Sequence, residues 1–306
     1  MNRRTFLKQL GGALLLTACN PIEKANSIMN DGKSARRIVI LHTNDVHSHI
    51  EPFPQNDALH AGLGGYSRRK AYIDSVRAEG CEPLVFECGD MFQGTPYFNF
   101  YDGKLEIELM NKMGVDAVTI GNHEFDRGLP FLCDRMSEAN FPFINSNYDF
   151  KNERAQSLVK PYHIFERKGV KIGVFGLGVQ IDGLIAVENV DGTIYNSPIE
   201  VAQRMANELH AQGCDLIIAL THIGFEMGNQ VDDRKLARQT KGIDLILGGH
   251  SHTFLPAPVF ETNLEGRPVL INQVGWGGVN VGRVEVDVVP NERRVAFAGA
   301  ELRKMC

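Results

Sequence analysis

Short apolar runs alternate with amphipathic stretches over most of the chain. The runs are near-continuous and rich in Val and Ile, which predicts strands buried on both faces. Six of them have the sequences RIVILHT, PLVFEC, DAVTIG, KIGVFGLG, CDLIIALTH and IDLILGG. The spacing of apolar residues between several runs predicts helices over residues 65–79, 103–113, 129–139, 198–212 and 230–241. Such alternation of strands and helices predicts a layered α/β domain.

The pattern changes after residue 257. Four apolar segments, PVFETN, RPVLINQVG, GRVEVDVV and RRVAFAGAEL, follow one another without an intervening helical stretch. We expect antiparallel strands in this part of the chain. The sequence contains no low-complexity segment and no clear internal repeat, so one compact domain over residues 36–306 is the expected division.

Polar side chains cluster where five of the predicted strands end. These side chains are Asp45 and His47 in HTNDVHSH, Asp90 in ECGDMFQGTP, Asn122 in GNHEFDRG, His222 in THIG, and His250 and His252 in GGHSHT. One such residue alone is more often a helix cap, a turn residue or a core histidine. Because ligands collect at the carboxyl ends of strands in layered α/β folds, five clusters in order are expected to converge. Seven potential ligands are too many for one tetrahedral ion and suit two ions that share a bridging carboxylate.

The segment GNHEFDRG carries more polar residues than metal binding requires. In extended chain Asn122 and His123 point to opposite sides, so one can bind a metal while the other faces a substrate. Asp126 follows three positions after His123 and can accept a hydrogen bond from its imidazole if a helical turn has begun there. Glu124 receives no catalytic role and is expected to form a salt bridge or a cap.

Composition argues against some classes of function. The 306 residues are 43% hydrophobic and 23% charged, with a formal net charge of −5 and no long basic run, so we expect no nucleic-acid polymer as a partner. Six cysteines are present, and without Cys19 their number is odd, so no disulfide framework is predicted. Cys88 and Cys214 lie beside apolar runs and are expected to be buried.

Residues 1–18 have the three parts of an export signal. The basic start MNRRTFLK precedes a leucine-rich stretch that is too short to span a bilayer, and small residues precede Cys19. RRTFLK resembles a twin-arginine signal, and LTAC resembles a lipoprotein box in which Cys19 is lipidated. A plain secretory signal with an incidental cysteine is the alternative. We therefore expect a lipid-anchored protein of the bacterial cell envelope, periplasmic or surface-facing, in which a polar tether follows the lipidated Cys19 up to residue 35.

The strand-end motifs resemble those of the calcineurin-like metallophosphoesterases. HTNDVH, GDMFQGTP, GNHEFDRG and GGHSHT are similar to motifs of the catalytic domain of 5'-nucleotidases, a family that includes UDP-sugar hydrolases and 2',3'-cyclic-nucleotide phosphodiesterases. The resemblance extends from about residue 37 to residue 290. It implies a layered α/β/β/α sandwich with mixed sheets flanked by helices.

The resemblance also implies a role for each motif residue. The ligands of one divalent metal would be Asp45, His47 and His252, those of the other would be Asn122, His222 and His250, and Asp90 would bridge both. His123 and Asp126 would form the catalytic dyad. Zn, Mn, Fe and Co all suit such a mixture of nitrogen and oxygen ligands.

Two divalent cations suit the hydrolysis of a phosphoester. Their four positive charges exceed the negative charges of Asp45, Asp90 and a bridging hydroxide, so a net positive charge would attract the phosphoryl group. Such a pair can generate hydroxide at neutral pH for direct attack on phosphorus. Protonated His123 could stabilise the transition state or protonate the leaving oxygen. No nucleophilic Ser or Cys is needed, so we expect no phosphoenzyme.

Full-length 5'-nucleotidases add a C-terminal domain that contacts the base of the substrate, and we expect no such domain in this chain. The expected substrate is a small phosphoester such as a nucleotide. The chain would then act alone with broad specificity, or a separate chain would supply the substrate-binding domain; we favour the second.

Two other functions remain open for this fold. One is a non-catalytic metal- or ligand-binding lipoprotein, and the other is a hydrolase of a non-phosphate ester, such as a sulfur-containing substrate. The His123–Asp126 pair speaks against the first, because neither residue is needed to hold a metal.

Overall fold

The computed structural model describes residues 34–306. The predicted export signal, Cys19 and all but the last two residues of the predicted tether lie outside the described residues. Two mixed sheets pack face to face, and helices cover both outer surfaces. This is the predicted α/β/β/α arrangement.

The first sheet has seven strands. In spatial order they are β15 (Arg294–Lys304), β14 (Asn280–Val289), β1 (Arg36–Thr43), β2 (Leu84–Glu87), β3 (Ala117–Thr119), β4 (Phe143–Ile144) and β6 (Val159–Lys160). The neighbours β1, β2, β3, β4 and β6 run parallel to one another, whereas β14 is antiparallel to both β1 and β15. The carboxyl ends of β1, β2 and β3 therefore lie side by side at one rim.

The second sheet has six strands. In spatial order they are β12 (Val259–Thr262), β13 (Pro268–Asn272), β11 (Leu245–Leu247), β10 (Leu216–His222), β8 (Val170–Gly178) and β7 (Tyr162–Arg167). The four inner strands are parallel, and both edge strands are antiparallel to their neighbours. A separate two-stranded pair is formed by β5 (Tyr148–Asp149) and β9 (Ile194–Tyr195).

Eight α-helices lie among residues 34–306. They are α1 (Tyr66–Ala78), α2 (Pro96–Tyr101), α3 (Lys104–Met113), α4 (Leu129–Glu138), α5 (Glu153–Leu158), α6 (Val187–Val190), α7 (Pro198–Ala211) and α8 (Asp233–Gln239). All five predicted helices are present. The largest difference in bounds is at α8, which begins at residue 233 because the Asp232 side chain accepts a hydrogen bond from the Lys235 amide at 2.9 Å and caps the helix. In this part of the chain, no helix has both the length and the apolarity that crossing a membrane requires.

Alternate residues of the central strands face two different apolar layers. Ile38 and Ile40 of β1 face the second sheet, where they join Leu216 of β10 in the cluster between the sheets. Val39 and Leu41 belong instead to the cluster beneath the helices of the first sheet. Because both faces of β1 are covered, every position from Ile38 to Leu41 is apolar. Burial of each such side chain stabilises the fold by about 1.5–3 kcal/mol.

The strands after residue 257 are only partly as predicted. β12, β14 and β15 have antiparallel neighbours, but β13 also pairs in parallel with β11, and the four strands are divided between the two sheets. An apolar pattern indicates a strand without specifying its partner. The expected burial of Cys88 and Cys214 is confirmed, and all five cysteines in the described residues are free thiols.

Candidate metal centre

The seven predicted ligands meet where the rims of the two sheets adjoin. Four of them form a first group, whose ligand atoms all lie within 4.8 Å of one another: Asp45, His47, Asp90 and His252. A second group meets the same criterion: Asp90, His222 and His250. Asn122 adjoins the second group, since its Oδ1 lies 2.9 Å from His250 Nδ1. The expected convergence is therefore present, with Asp90 common to both groups.

The first group joins loops that follow β1, β2 and β11. His252 Nε2 lies 3.0 Å from His47 Nε2 and 3.3 Å from Asp45 Oδ1. His47 Nε2 lies 3.9 Å from Asp90 Oδ2. Ligands at metal distances of about 2.0–2.2 Å stand about 3–4 Å apart in a tetrahedral site, so these separations fit a shared cation. The two carboxylates are buried, whereas 41% of the His252 side chain is exposed.

Asp90 and His222 of the second group are buried near the end of β10, whereas His250 is only partly buried. His222 Nδ1 donates a hydrogen bond to the carbonyl oxygen of Cys88 at 2.7 Å, which leaves the lone pair of Nε2 available. Nε2 lies 3.0 Å from Asp90 Oδ2, but it has no partner in hydrogen-bond geometry. A buried imidazole nitrogen normally has a hydrogen-bond partner. A free imidazole nitrogen and a carboxylate oxygen side by side are ligands that suit a divalent transition metal.

The electrostatics of the site favour positive charge. Burial alone would lower the pKa of His222, but Asp90 and Asp45 outweigh burial and raise it. Without a cation the ring is therefore protonated at neutral pH, and a metal would displace the proton on Nε2 to reach its lone pair. Burial opposes ionisation of Asp90, yet the neighbouring rings, led by His222, hold its pKa well below the usual range. Burial lowers the pKa of His250 to about 4 and also lowers that of His47, so both rings are neutral ligands at neutral pH.

The loops that carry the ligands have an uncommon backbone conformation. Five of the seven predicted ligands have positive φ: Asp45 (52°), His47 (45°), Asp90 (56°), His250 (79°) and His252 (50°). This left-handed conformation costs about 1–2 kcal/mol for each residue that is not glycine. Such strain clusters at functional sites, where the surrounding structure supports it. Residues two positions apart, such as Asp45 and His47, would project to the same side of an extended chain. Because both have positive φ, their side chains converge through a turn instead.

Glycine permits the close approach of the loops after β2 and β3. Gly89 has a φ of 85°, and a Cβ at this position would lie 2.6 Å from His222 Nδ1 and 2.8 Å from the Gly121 amide nitrogen. No other residue type would fit there without moving His222. Gly89 thus turns the chain before Asp90.

His123 and Asp126 form a pair at the edge of the first group. Residues His123–Phe125 form one 3-10 turn, so Asn122 and His123 diverge through a helical turn and not through the extended chain that was predicted. His123 Nδ1 lies 2.8 Å from Asp126 Oδ2, as expected, and this hydrogen bond raises the pKa of His123 to about 9. The ring centroids of His123 and His47 are 5.2 Å apart, and 34% of the His123 side chain is exposed. A protonated imidazole therefore faces solvent beside the first group.

Glu124 has a larger structural role than the sequence indicated. It is buried, and its carboxylate accepts hydrogen bonds from the amides of Asp90 (2.8 Å), Met91 (2.9 Å) and Gly121 (2.6 Å). The carboxylate thus holds the amides of two loops and does not cap a helix end, which differs from the expected cap. No salt bridge of Glu124 occurs within residues 34–306. A carboxylate three positions after a strand-end glycine was the only available signal.

Asn44 was missed by sequence reasoning. Its Nδ2 donates to Asp45 Oδ2 and to the Gly275 carbonyl oxygen, both at 2.6 Å, and its Oδ1 accepts from the Val274 amide at 3.0 Å. The side chain therefore fixes one oxygen of a predicted ligand and joins the loop after β1 to the loop after β13.

A cluster of aromatic rings borders the first group, and it too was missed. We call its five members the aromatic cluster: His49, Phe53, His60, Phe254 and Trp276. Trp276 packs in edge contacts with His49, Phe53 and His60 at centroid distances of 5.2–5.8 Å, while His60 stacks on Phe254 at 5.4 Å. Trp276 also stacks on His252 at 5.7 Å with an interplanar angle of 13°. The cluster thus contacts a predicted metal ligand directly.

Comparisons with known proteins agree with this geometry. The calcineurin-like phosphoesterase family matches residues 38–254. A snake venom 5'-nucleotidase from Gloydius brevicauda is 35% identical over 226 residues, which cover 71% of this chain and 37% of that protein. The chain spans between 37% and 41% of the length of the first curated relatives that it matches.

Solved structures agree as well. A 5'-nucleotidase precursor from Thermus thermophilus superposes with a TM-score of 0.80 at 33% identity, covering 88% of this chain and 55% of that chain. The calcineurin-like phosphoesterase YfkN from Bacillus subtilis superposes with a TM-score of 0.73 at 26% identity, covering 89% of this chain and 92% of that chain. The family match includes every strand-end motif that forms the two groups, and the chain belongs to the calcineurin-like phosphoesterase family, with 5'-nucleotidases among its relatives.

Proposed function

We propose that this chain is a metal-dependent phosphoester hydrolase that holds two divalent cations, one in each group, with Asp90 between them. The observation that carries the proposal is the sharing of Asp90 by two sets of ligand atoms that each lie within 4.8 Å. Asn122 completes the second set. When bound, the cations would supply an activated water and positive charge for the phosphoryl oxygens. The donor atoms suit Zn, Mn, Fe or Co.

His123 is the proposed donor to the reacting phosphoester. Asp126 holds Nδ1 of the ring at 2.8 Å, which orients the imidazole and keeps it protonated at neutral pH. The other ring nitrogen is then able to donate to a phosphoryl oxygen or to protonate the leaving oxygen. Neither step needs a covalent bond to the protein, so the proposed reaction is direct attack by water.

Hydrolysis of p-nitrophenyl phosphate by the wild type and by His123→Ala tests the proposal. We expect the wild type to hydrolyse it with added Mn²⁺ or Zn²⁺, and the variant to be about 10²–10⁴-fold slower with unchanged metal content. Metal analysis of both proteins is the second readout. A metal-loaded wild type that hydrolyses neither this ester nor its bis ester would contradict the proposal, and so would an equally active variant.

A nucleotide is the proposed substrate class, since relatives of the chain are named 5'-nucleotidases. We also propose that a separate chain contributes to nucleotide binding. A screen of nucleotides and simple esters, with and without the products of neighbouring genes, tests both points. Hydrolysis of AMP with a low KM by this chain alone would contradict the need for a second chain.

Export and lipid anchoring through Cys19 are further proposals that rest on the N-terminal sequence. We expect Cys19→Ser to release the protein from the membrane fraction. Lys in place of both Arg3 and Arg4 would hold it inside the cell if the twin-arginine route is used. Continued membrane association of the Cys19 variant would contradict lipidation at this residue.

A further inference from the structure

The aromatic cluster stands apart from the three apolar cores of the described chain. None of its rings belongs to the clusters between or outside the sheets. Phe254 is 41% exposed, and Trp276, His49 and His60 are only partly buried. Phe53 is buried, and the other four rings contribute less to the fold than their apolar area would allow.

Glycines in the loop after β13 make room for these rings. The ring of Phe254 lies against the backbone of Gly275, where a Cβ would collide with it. At Gly277 a Cβ would lie 2.6 Å from the ring of Phe53. Both glycines also have positive φ, 90° and 64° respectively. The loop thus adopts a conformation that depends on glycine while it holds aromatic side chains at the rim.

The position of the cluster relates it to the metal centre. Phe254 follows the predicted ligand His252 by two residues, and Trp276 covers one face of the His252 ring. The ring of Trp276 is also 6.5 Å from that of His47. A phosphoryl group held beside the first group would place the rest of its ester within reach of these rings.

We propose that the aromatic cluster binds the aromatic part of the substrate, such as a nucleobase or an aryl leaving group, by stacking on Phe254 and Trp276. The proposal rests on the proposed phosphoester hydrolysis. No Asp, Glu, Lys or Arg belongs to the cluster, so stacking supplies the recognition and all nucleobases bind with similar affinity. Removal of one stacking ring typically weakens the binding of a base about tenfold.

Intrinsic fluorescence gives a direct test, because Trp276 is the single tryptophan of the chain. The metal-loaded wild type is titrated with adenosine, with ribose and with inorganic phosphate. We expect saturable quenching by adenosine and none by ribose. Equal responses to adenosine and ribose would overturn the proposal.

Variants of Phe254 sharpen this test. We expect Phe254→Leu to weaken adenosine binding about tenfold and Phe254→Tyr to restore it, because the second variant keeps a ring. Phe100→Leu is the matched control, since Phe100 is 81% exposed on α2 and is not part of the cluster. Metal content is measured for each protein. If Phe254→Leu and Phe100→Leu bind adenosine as the wild type does, the cluster is not the binding surface.

Kinetics separate this inference from the proposed function. The ratio of kcat/KM for AMP to that for ribose 5-phosphate is expected to fall about tenfold in Phe254→Leu, with kcat/KM for ribose 5-phosphate unchanged. If the wild type hydrolyses both substrates and Phe254→Leu lowers both equally, the inference fails and the proposed function stands. If the wild type hydrolyses neither while adenosine still quenches Trp276, the proposed function fails and the binding surface stands.

Discussion

The first and second groups share Asp90 but are supported in different ways. The second group relies on His222, the last residue of β10, which is fully buried and has its tautomer fixed by the Cys88 carbonyl group. The first group relies on His47 and His252, which lie on loops with positive φ beyond the strand ends. The second group thus includes one residue of the sheet itself, whereas the first group is held by loops alone.

One metal centre can thus combine a rigid half, the second group, with an accessible half, the first group. Strand-end ligands gain their position from the hydrogen bonds and packing of the sheet. Loop ligands depend on local supports such as Asn44, which fixes Asp45, and on conformations that cost free energy. The accessible half is the one that borders the aromatic cluster and His123, where a substrate has room to approach.

The strongest test of the shared centre is Asp90→Asn. We expect loss of both metals and a fall in hydrolysis of about 10³-fold or more, because the carboxylate common to both groups is removed. Asn tolerates positive φ, so the backbone should be retained. Asp102→Asn is the control, since Asp102 has a similar φ of 53° and an exposed side chain. Retention of one metal by Asp90→Asn would show that the two groups are independent.

A comparison of His222→Ala with His252→Ala tests the rigid half against the accessible half. We expect His222→Ala to lower the free energy of unfolding by about 3 kcal/mol, since it leaves a buried carboxylate without its partner. His252→Ala should change stability little, because that side chain is partly exposed, while still weakening metal binding. Denaturant unfolding in the presence of a chelator measures the stability of both variants, and metal analysis without the chelator measures their metal content. Equal destabilisation by the two variants would break the comparison.

The pH dependence of Asp126→Asn tests the pair at the edge of the accessible half. Asp126 raises the pKa of His123 to about 9, so the protonated form prevails below that pH and is lost above it. Without the carboxylate the pKa should fall toward its ordinary value of about 6.5, and the alkaline limb of kcat/KM should move to lower pH. At pH 8 we expect kcat/KM of the variant to be about 30-fold below that of the wild type, and at pH 6 we expect a smaller difference. A profile that does not move would exclude His123 as the titrating donor.

Glu124→Gln should act indirectly, through the loops that carry the ligands. The amide keeps the shape of the carboxylate but offers one acceptor oxygen in place of two, so hydrogen bonds from loop amides are lost. We expect a loss of about 1–3 kcal/mol in the free energy of unfolding and metal binding weakened about 10–100-fold. Thermal unfolding with and without metal separates the two contributions. An unchanged metal affinity would limit Glu124 to a purely structural role.

The strands and helices could be predicted because their cause is local. In β1 the positions from Ile38 to Leu41 are apolar on both faces, a pattern visible within a few consecutive residues. The start of α8 was placed less well, because its cap by Asp232 was not recognised. The ligands could be predicted for a related reason: in a layered α/β fold, strand ends converge whatever the details of the loops. Their backbone conformation could not, since positive φ at Asp45 and His252 arises from the surrounding packing and not from residue type.

The supporting residues could not be predicted because their partners are distant in sequence. Asn44 forms hydrogen bonds with Val274 and Gly275, which follow it by 230 and 231 positions, and no local sequence pattern predicts either contact. Trp276 and His49 belong to one cluster although 227 positions separate them. For the same reason the apolar segments after residue 257 indicated strands but not the two sheets to which they belong.

The placement of β1 between β2 and β14 has a consequence for the order of assembly. β1 is synthesised well before its antiparallel neighbour β14, because Arg36 pairs with Val288. The side chain of Asn44 likewise finds its carbonyl and amide partners only after residue 275 has been made. Contacts of such long sequence separation form slowly. A nascent chain therefore carries its first pair of predicted ligands, Asp45 and His47, without this support until the ribosome has added residues 274 and 275.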